Sequence, residues 1–97
     1  MSDQADLYSN NPNQIVMYAV EWCPDCRRAK FFFKRKKIAV LEVDVNADKK
    51  AEEFVKKLNN GFRSVPTIIF PDGSMLVEPS SAELEARFSQ SEVNSFA

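Results

Sequence analysis

Two cysteines separated by two residues are the side chains of this sequence best suited to chemistry. Cys23 and Cys26 enclose Pro24 and Asp25. A cysteine thiolate is both a nucleophile and a metal ligand, so a CxxC pair supports either disulfide exchange or metal binding. The 97 residues include no histidine. This composition excludes cysteine–histidine catalysis and every metal site that needs an imidazole ligand.

The residues on either side of the pair predict the elements that position it. Ile15 to Val20 is a nearly continuous apolar run, which is typical of a strand buried on both faces. Residues 23–37 predict a helix with Pro24 at its favoured first position. Cys23 then lies at the helix N-terminus, where unpaired amides and the helix dipole stabilise a thiolate. Cys26 follows one turn later, so its sulfur can approach that of Cys23.

This placement predicts a disulfide-exchange site. Cys23 attacks a substrate disulfide, and Cys26 resolves the mixed disulfide within the same chain. Trp22 is expected to shield one side of the site, and Asp25 to oppose the thiolate weakly by charge repulsion. Metal binding by this pair alone is the weaker alternative because structural zinc usually has four ligands. A zinc or iron–sulfur site shared between subunits stays open.

The rest of the chain predicts one α/β domain with the element order β-α-β-α-β-β-α. Its first βαβ unit requires parallel strands and its last two strands a hairpin, so the four-stranded sheet is mixed. Residues 1–13 are polar and are expected to form a flexible lead-in to a domain of residues 14–97. The further strands are predicted at 39–45, 65–70 and 75–77, and the further helices at 46–59 and 80–90.

Composition narrows the function classes. A net charge of −1 argues against strong attraction to nucleic acid or membrane. No apolar run approaches the roughly 20 residues that cross a bilayer, and residues 1–13 lack the features of a signal peptide. We therefore expect a cytoplasmic monomer with no bound cofactor. In that compartment, two cysteines at CxxC spacing favour a redox function over a structural disulfide.

The first helix is strongly basic over residues 27–37. Its simplest interpretation is a solvated outer face whose last lysines suit the helix dipole. The alternative is that Arg27 and Arg28, which lie nearest the sulfurs, steer acidic partners to the site.

Two motifs at a consistent distance, Trp22-Cys23-Pro24-Asp25-Cys26 and Ser64-Val65-Pro66-Thr67, resemble the glutaredoxin family. The stretch 58–74 and Glu78-Pro79-Ser80 are similar to the mycoredoxin branch and to redoxins that serve ribonucleotide reductase. The resemblance covers residues 15–90. It implies a thioredoxin-like fold of the glutaredoxin type and an enzyme, a dithiol thiol–disulfide oxidoreductase that reduces protein or mixed disulfides.

The resemblance also implies roles for residues outside the CxxC pair. Cys23 remains the nucleophile, and Pro66 becomes a cis-proline facing the two sulfurs. The backbone of Val65 would then pair with an extended substrate. The start of the last helix and an arginine across from it would line a groove for substrate carboxylates. The predicted substrate-binding residues are Trp22, Pro24, Arg63, Val65, Pro66, Ser80 and Ser81.

Several positions depart from the family pattern. Glutathione-dependent members carry a lysine shortly before the first cysteine, where this chain has Glu21 and Trp22. Many carry Gly-Gly and an Asp at the start of the last helix, where this chain has residues 78–81, Glu-Pro-Ser-Ser. Met17 stands where thioredoxins keep a buried carboxylate.

The departures leave the electron donor open among glutathione, mycothiol and a thioredoxin-reductase-type partner. Two other functions also stay open. One is a dimeric iron–sulfur or metal-binding carrier that uses Cys23 and a small thiol. The other is a non-catalytic binding module of thioredoxin fold.

Overall fold

A computed structural model describes residues 6–96, with side chains up to Ser89. Four strands form one sheet, and three helices flank it. The strands are β1 (Val16–Ala19), β2 (Leu41–Asp44), β3 (Thr67–Ile69) and β4 (Met75–Val77). The helices are α1 (Pro24–Arg35), α2 (Lys49–Leu58) and α3 (Ser81–Phe96).

The sheet has the order β2-β1-β3-β4 and is mixed, as the sequence predicts. β1 pairs in parallel with β2 and antiparallel with β3, and β3 pairs antiparallel with β4. The central strand β1 is buried along its whole length, which accounts for its continuous apolar run. Its carboxyl end leads directly into the CxxC segment.

Several element boundaries differ from the predicted ones, and three of the differences have local reasons. β3 begins only at Thr67 because a cis peptide bond joins Val65 to Pro66, and proline has no amide to donate to the sheet. α2 begins at Lys49 because Asp48 caps it, accepting a hydrogen bond from the amide of Ala51 at 3.2 Å. α3 continues to Phe96 because residues 91–96 contain neither proline nor glycine.

Helix α1 packs its predicted apolar stripe against the sheet. Ala29, Phe32 and Phe33 are buried, whereas the side chain of Phe31 is 66% exposed. Successive residues on a helix are about 100° apart, so three adjacent phenylalanines cannot all face the core. Phe32 and Phe33 therefore belong to the core, and Phe31 lies on the outer face of the helix.

A capping box fixes the start of α3. The Ser80 hydroxyl accepts from the Glu83 amide at 3.1 Å, and the Glu83 carboxylate accepts from the Ser80 amide at 2.8 Å. Leu84 is then fully buried, and Phe88 packs its ring against aromatic side chains of α1 and of the turn after β3. No helix in the described part of the chain combines the length and apolarity needed to cross a bilayer.

The described part of the N-terminal segment makes specific contacts with the domain. Asp6 is buried, and its carboxylate accepts from the Asn13 amide at 2.6 Å. The Tyr8 hydroxyl donates to Asp48 at 2.5 Å, and the Tyr8 amide donates to the Tyr18 hydroxyl at 2.9 Å. Residues 1–5 lie outside the described residues. The division of the chain at residue 13 stays a prediction.

Candidate active site

The two cysteines lie at the junction between β1 and α1. Cys23 is the residue that precedes the helix, with extended backbone angles, and Pro24 is the first helical residue. The carbonyl of Cys23 accepts the amide of Arg27 at 3.0 Å, which closes the first helical turn. The Cys23 side chain caps none of the helix amides. The nucleophile candidate is therefore held at the helix start without a hydrogen bond between its sulfur and the helix amides.

The two thiols have different surroundings. Cys23 is half-buried, and its Sγ donates to the Val65 carbonyl at a distance of 3.9 Å. Cys26 has no exposed surface, and its Sγ accepts from the Val20 amide at 3.5 Å. Neither thiol is in a disulfide.

The surroundings of Cys26 shift its ionisation strongly. The pKa of its thiol is raised to about 12, mainly by burial, and the hydrogen bond and charge of Cys23 contribute to the rise. The Val20 amide and the positive charge of Lys30 act in the opposite direction but are outweighed. Cys26 is therefore a neutral thiol near pH 7.

The segment before β3 faces Cys23. The peptide bond between Val65 and Pro66 is cis, as the family resemblance implies, and Pro66 is buried. The Thr67 hydroxyl donates to the Ser64 carbonyl at 2.7 Å, and the Glu78 amide donates to the Pro66 carbonyl at 2.8 Å. These bonds hold the backbone on both sides of the cis peptide, and with it the carbonyl of Val65 beside Cys23.

The other predicted site residues on the cysteine side are exposed. The indole of Trp22 is 64% exposed, and Pro24 is exposed beside it. Each adjoins Cys23 in the chain. That Trp22 shields the site, and that both residues contact substrate, stay predictions.

The side chain of Arg63 is engaged within the domain. Its Nε lies 3.1 Å from a carboxylate oxygen of Glu52 on α2, and a terminal nitrogen donates to Asn46. The Nε is buried and forms an ion pair without a hydrogen bond. The positive charge of Arg63 is thus paired with the carboxylate of Glu52.

At the start of α3, Ser80 and Ser81 are exposed. The amide and the hydroxyl of Ser80 are both engaged by Glu83. Glu83 therefore already engages two groups of the helix start, the amide and hydroxyl of Ser80, where a substrate carboxylate was predicted to bind.

Sequence reasoning missed two contributors to the site. The Val20 amide contacts the Cys26 sulfur, and Lys30 acts on its charge. The sequence spacing could have indicated Lys30, because Lys30 follows Cys26 by four residues and therefore lies on the same helix face. Among the described side chains, those of residues 6–89, no cluster of three or more metal-ligating groups is present.

Comparison with solved structures defines the class of protein. A structure named as the thioredoxin-like protein BC3987 matches with a TM-score of 0.65 and 27% identity. The match covers 75% of this chain and 97% of that one. Together with the βαβ start, the CxxC at the helix N-terminus and the cis-proline beside it, this places the chain among thioredoxin-like proteins.

The family follows from the sequence comparisons. The Glutaredoxin family model matches residues 15–75, and the chain belongs to the glutaredoxin family. A protein of Mycobacterium tuberculosis (strain H37Rv) named as a candidate glutaredoxin is 41% identical over 73 residues, which are 75% of this chain and 87% of that protein. Mycoredoxin 1 of Corynebacterium glutamicum is 35% identical over 75 residues, 77% of this chain and 92% of that protein. With its two cysteines at CxxC spacing, the chain is a glutaredoxin-like thiol–disulfide oxidoreductase of the mycoredoxin-like branch.

Proposed function

We propose that the enzyme reduces protein disulfides or mixed disulfides by a dithiol mechanism in which Cys23 attacks and Cys26 resolves. The difference between the two thiols carries this assignment. Cys23 is partly exposed at the helix start, whereas Cys26 is fully buried with its pKa raised to about 12. Only the first thiol can meet a substrate, and the second stays protonated until the first has reacted.

The reaction proceeds in two exchange steps. The Cys23 thiolate attacks one substrate sulfur, a mixed disulfide forms, and the other substrate sulfur leaves as a thiolate that takes up a proton. Cys26 then gives up its proton and attacks the Cys23 sulfur, which releases the second substrate thiol. The substrate has gained two electrons, and the protein is left with a Cys23–Cys26 disulfide for the donor to reduce.

A groove beside the sulfurs is proposed to hold the substrate. The Val65 carbonyl, 3.9 Å from the Cys23 sulfur, lies where the backbone of an extended substrate would run past the reacting atoms. Trp22 and Pro24 would border the groove on the cysteine side. The remaining lining is proposed to come from Arg63, Pro66, Ser80 and Ser81.

The proposed electron donor is a low-molecular-weight thiol, with mycothiol favoured over glutathione. Two observations support it. The chain is similar to Mycoredoxin 1 over 77% of its length. In addition, Glu21 and Trp22 stand where glutathione-dependent family members carry a lysine.

All the proposed reacting groups come from one chain, so we propose that a monomer carries out the reaction. We also propose the cytoplasm as its compartment, because a dithiol reductant needs surroundings that keep its thiols reduced.

The donor is tested by offering the oxidised protein to three reducing systems in parallel. These are mycothiol with its reductase, glutathione with its reductase, and thioredoxin reductase alone, each followed by NADPH consumption. The proposal expects the mycothiol system to be fastest and Cys23→Ser to be inactive with all three. Equal or faster reduction by thioredoxin reductase alone would overturn the small-thiol donor. A coloured protein with visible charge-transfer absorbance after purification would favour the iron–sulfur alternative.

A further inference from the structure

A positive charge lies on the same helix face as the proposed nucleophile. Arg27 follows Cys23 by four residues, and residues at this spacing are neighbours on a helix surface. Helical side chains tilt toward the N-terminus, so the guanidinium of Arg27 is directed at the loop before the helix. Its Nε donates to the carbonyl of Glu21 at 3.2 Å, which confirms that direction. The guanidinium is therefore held beside the segment that carries Trp22 and Cys23.

This charge is unpaired, unlike those of its neighbours. Arg28 bonds the carboxylate of Asp25 at 2.8 Å, Lys30 lies 3.7 Å from that of Glu42, and Arg63 lies 3.1 Å from that of Glu52. Among the side chains described, those of residues 6–89, Arg27 has no ion-pair partner, and its only side-chain hydrogen bond is the one from Nε.

The free part of Arg27 is the part suited to an anion. A guanidinium presents a rigid, planar fork of donors that matches the two oxygens of a carboxylate. Because Nε is tied to the Glu21 carbonyl, the guanidinium is oriented, while Arg27 as a residue is exposed to solvent. By contrast, the arginine that the sequence assigned to substrate carboxylates, Arg63, already shares its charge with Glu52.

We propose that Arg27 binds a carboxylate close to the disulfide sulfur of the substrate and thereby makes the enzyme prefer anionic disulfides. The inference rests on the proposed attack by Cys23. A carboxylate bound to the terminal nitrogens of Arg27 brings the neighbouring disulfide to the helix start, where the Cys23 sulfur attacks it. The carboxylate can belong to a small thiol or to an acidic residue next to a substrate cysteine.

The test compares two matched disulfides, 3,3′-dithiodipropionate and its neutral analogue 3,3′-dithiodipropionamide. Reduced protein is mixed with an excess of each, samples are acid-quenched, and mass spectrometry gives the second-order rate constant for loss of the dithiol. No electron donor is needed, because each protein molecule reacts once. The readout is the ratio of the two rate constants, carboxylate over amide.

Arg27→Gln is expected to lower this ratio by about three- to fivefold, the range of an exposed ion pair, with the effect shrinking as salt is added. Arg28→Gln removes the same net charge one residue away and is expected to lower the ratio much less, because Arg28 is paired with Asp25. Arg27→Lys should keep part of the ratio by retaining the charge. An unchanged ratio in Arg27→Gln, or equal losses in the two glutamine variants, would overturn the proposal.

Peptide disulfides with Asp or Asn next to the cysteine extend the test to protein substrates. If Arg27→Gln lowers the ratio only for the peptides, the site serves protein substrates. If it lowers the ratio only for the small disulfides, the site serves small thiols. Failure of the unaltered protein to react with either disulfide would instead contradict the attack by Cys23. The two failures are therefore distinguishable.

Discussion

The backbone amide of Val20 donates to the Sγ of Cys26 at 3.5 Å, at a point where the thiol has no exposed surface. An N–H donor stabilises a thiolate, yet burial outweighs it and the pKa of Cys26 is raised to about 12. Two further causes of the raised pKa, the hydrogen bond and the charge of Cys23, disappear once the Cys23 sulfur is bonded to substrate. Formation of the mixed disulfide therefore lowers the pKa of the thiol that must attack it.

The contrast between the thiols predicts the order of alkylation. With iodoacetamide between pH 6 and pH 9, Cys23 of the reduced protein should be modified while Cys26 stays unmodified, because Cys26 is both inaccessible and protonated. Peptide mass mapping of samples quenched over time measures the two rates. Unfolding the protein in guanidinium provides the control, since both thiols should then react. Faster modification of Cys26 in the folded protein would reverse the proposed roles.

The hydrogen bond from Tyr8 to Asp48 predicts a loss of stability at both extremes of pH. It holds the pKa of Asp48 below its ordinary value of 3.8 and raises the pKa of Tyr8 to about 12. The stabilisation is therefore present above the unfolded carboxyl pKa, near 4, and is lost as pH falls through the lowered folded pKa. On the alkaline side it is present below pH 10 and is lost as pH rises toward 12.

Tyr8→Phe removes this bond. We expect it to lower the free energy of unfolding by about 1 kcal/mol at pH 7, and by less at pH 3, where the Asp48 carboxyl of the unfolded chain is already largely protonated. Urea denaturation at the two pH values measures the difference. No loss at either pH would mean that packing of the ring, which phenylalanine retains, anchors the segment. A loss that is equal at pH 3 and pH 7 would contradict a role for the charge of Asp48.

The capping box at the start of α3 predicts a stability effect that is specific to one of two adjacent serines. Ser80→Ala should lower the free energy of unfolding by about 1 kcal/mol, because the Glu83 amide loses its acceptor. Ser81→Ala is the matched control and should cost much less. Thermal or urea unfolding followed by circular dichroism gives both values, and equal losses would contradict the assignment of the cap.

Arg63 predicts a modest kinetic effect. Since its guanidinium is already paired with Glu52, a contact with a substrate carboxylate should add no more binding free energy than an exposed ion pair does. Arg63→Ala is expected to lower kcat/KM for small mixed disulfides by about two- to fivefold. Glu52→Gln, which frees the guanidinium, should raise it. Unchanged kinetics in Arg63→Ala would remove Arg63 from the proposed groove.

Much of the fold could be predicted from the sequence because its signals are local. The apolar run that became β1, the capping box at Ser80 and the proline at the start of α1 each involve residues within a few positions of one another. The cis-proline followed from a motif. In the site, the same locality placed Cys23 at the helix start and Cys26 one turn inside.

The remaining features depend on contacts between distant parts of the chain. Tyr8 and Asp48 are 40 positions apart, and no periodic pattern in residues 6–13 points to α2. Arg63 forms an ion pair with Glu52 in the first turn of α2. The sequence showed the charge of Arg63 but not this partner. The Val20 amide is a backbone group and carries no signal in residue type.

Trapping of the mixed disulfide tests the division of labour between Cys23 and Cys26 most directly. The reduced Cys26→Ser variant is incubated with bis(2-hydroxyethyl) disulfide and analysed by intact-mass and peptide mass spectrometry, beside Cys23→Ser and the unaltered protein. The account predicts a stable adduct of one substrate half on Cys23 in Cys26→Ser, and no adduct in Cys23→Ser. It predicts an intramolecular Cys23–Cys26 disulfide in the unaltered protein. An adduct on Cys26 in Cys23→Ser, formed as fast as the one on Cys23, would contradict it.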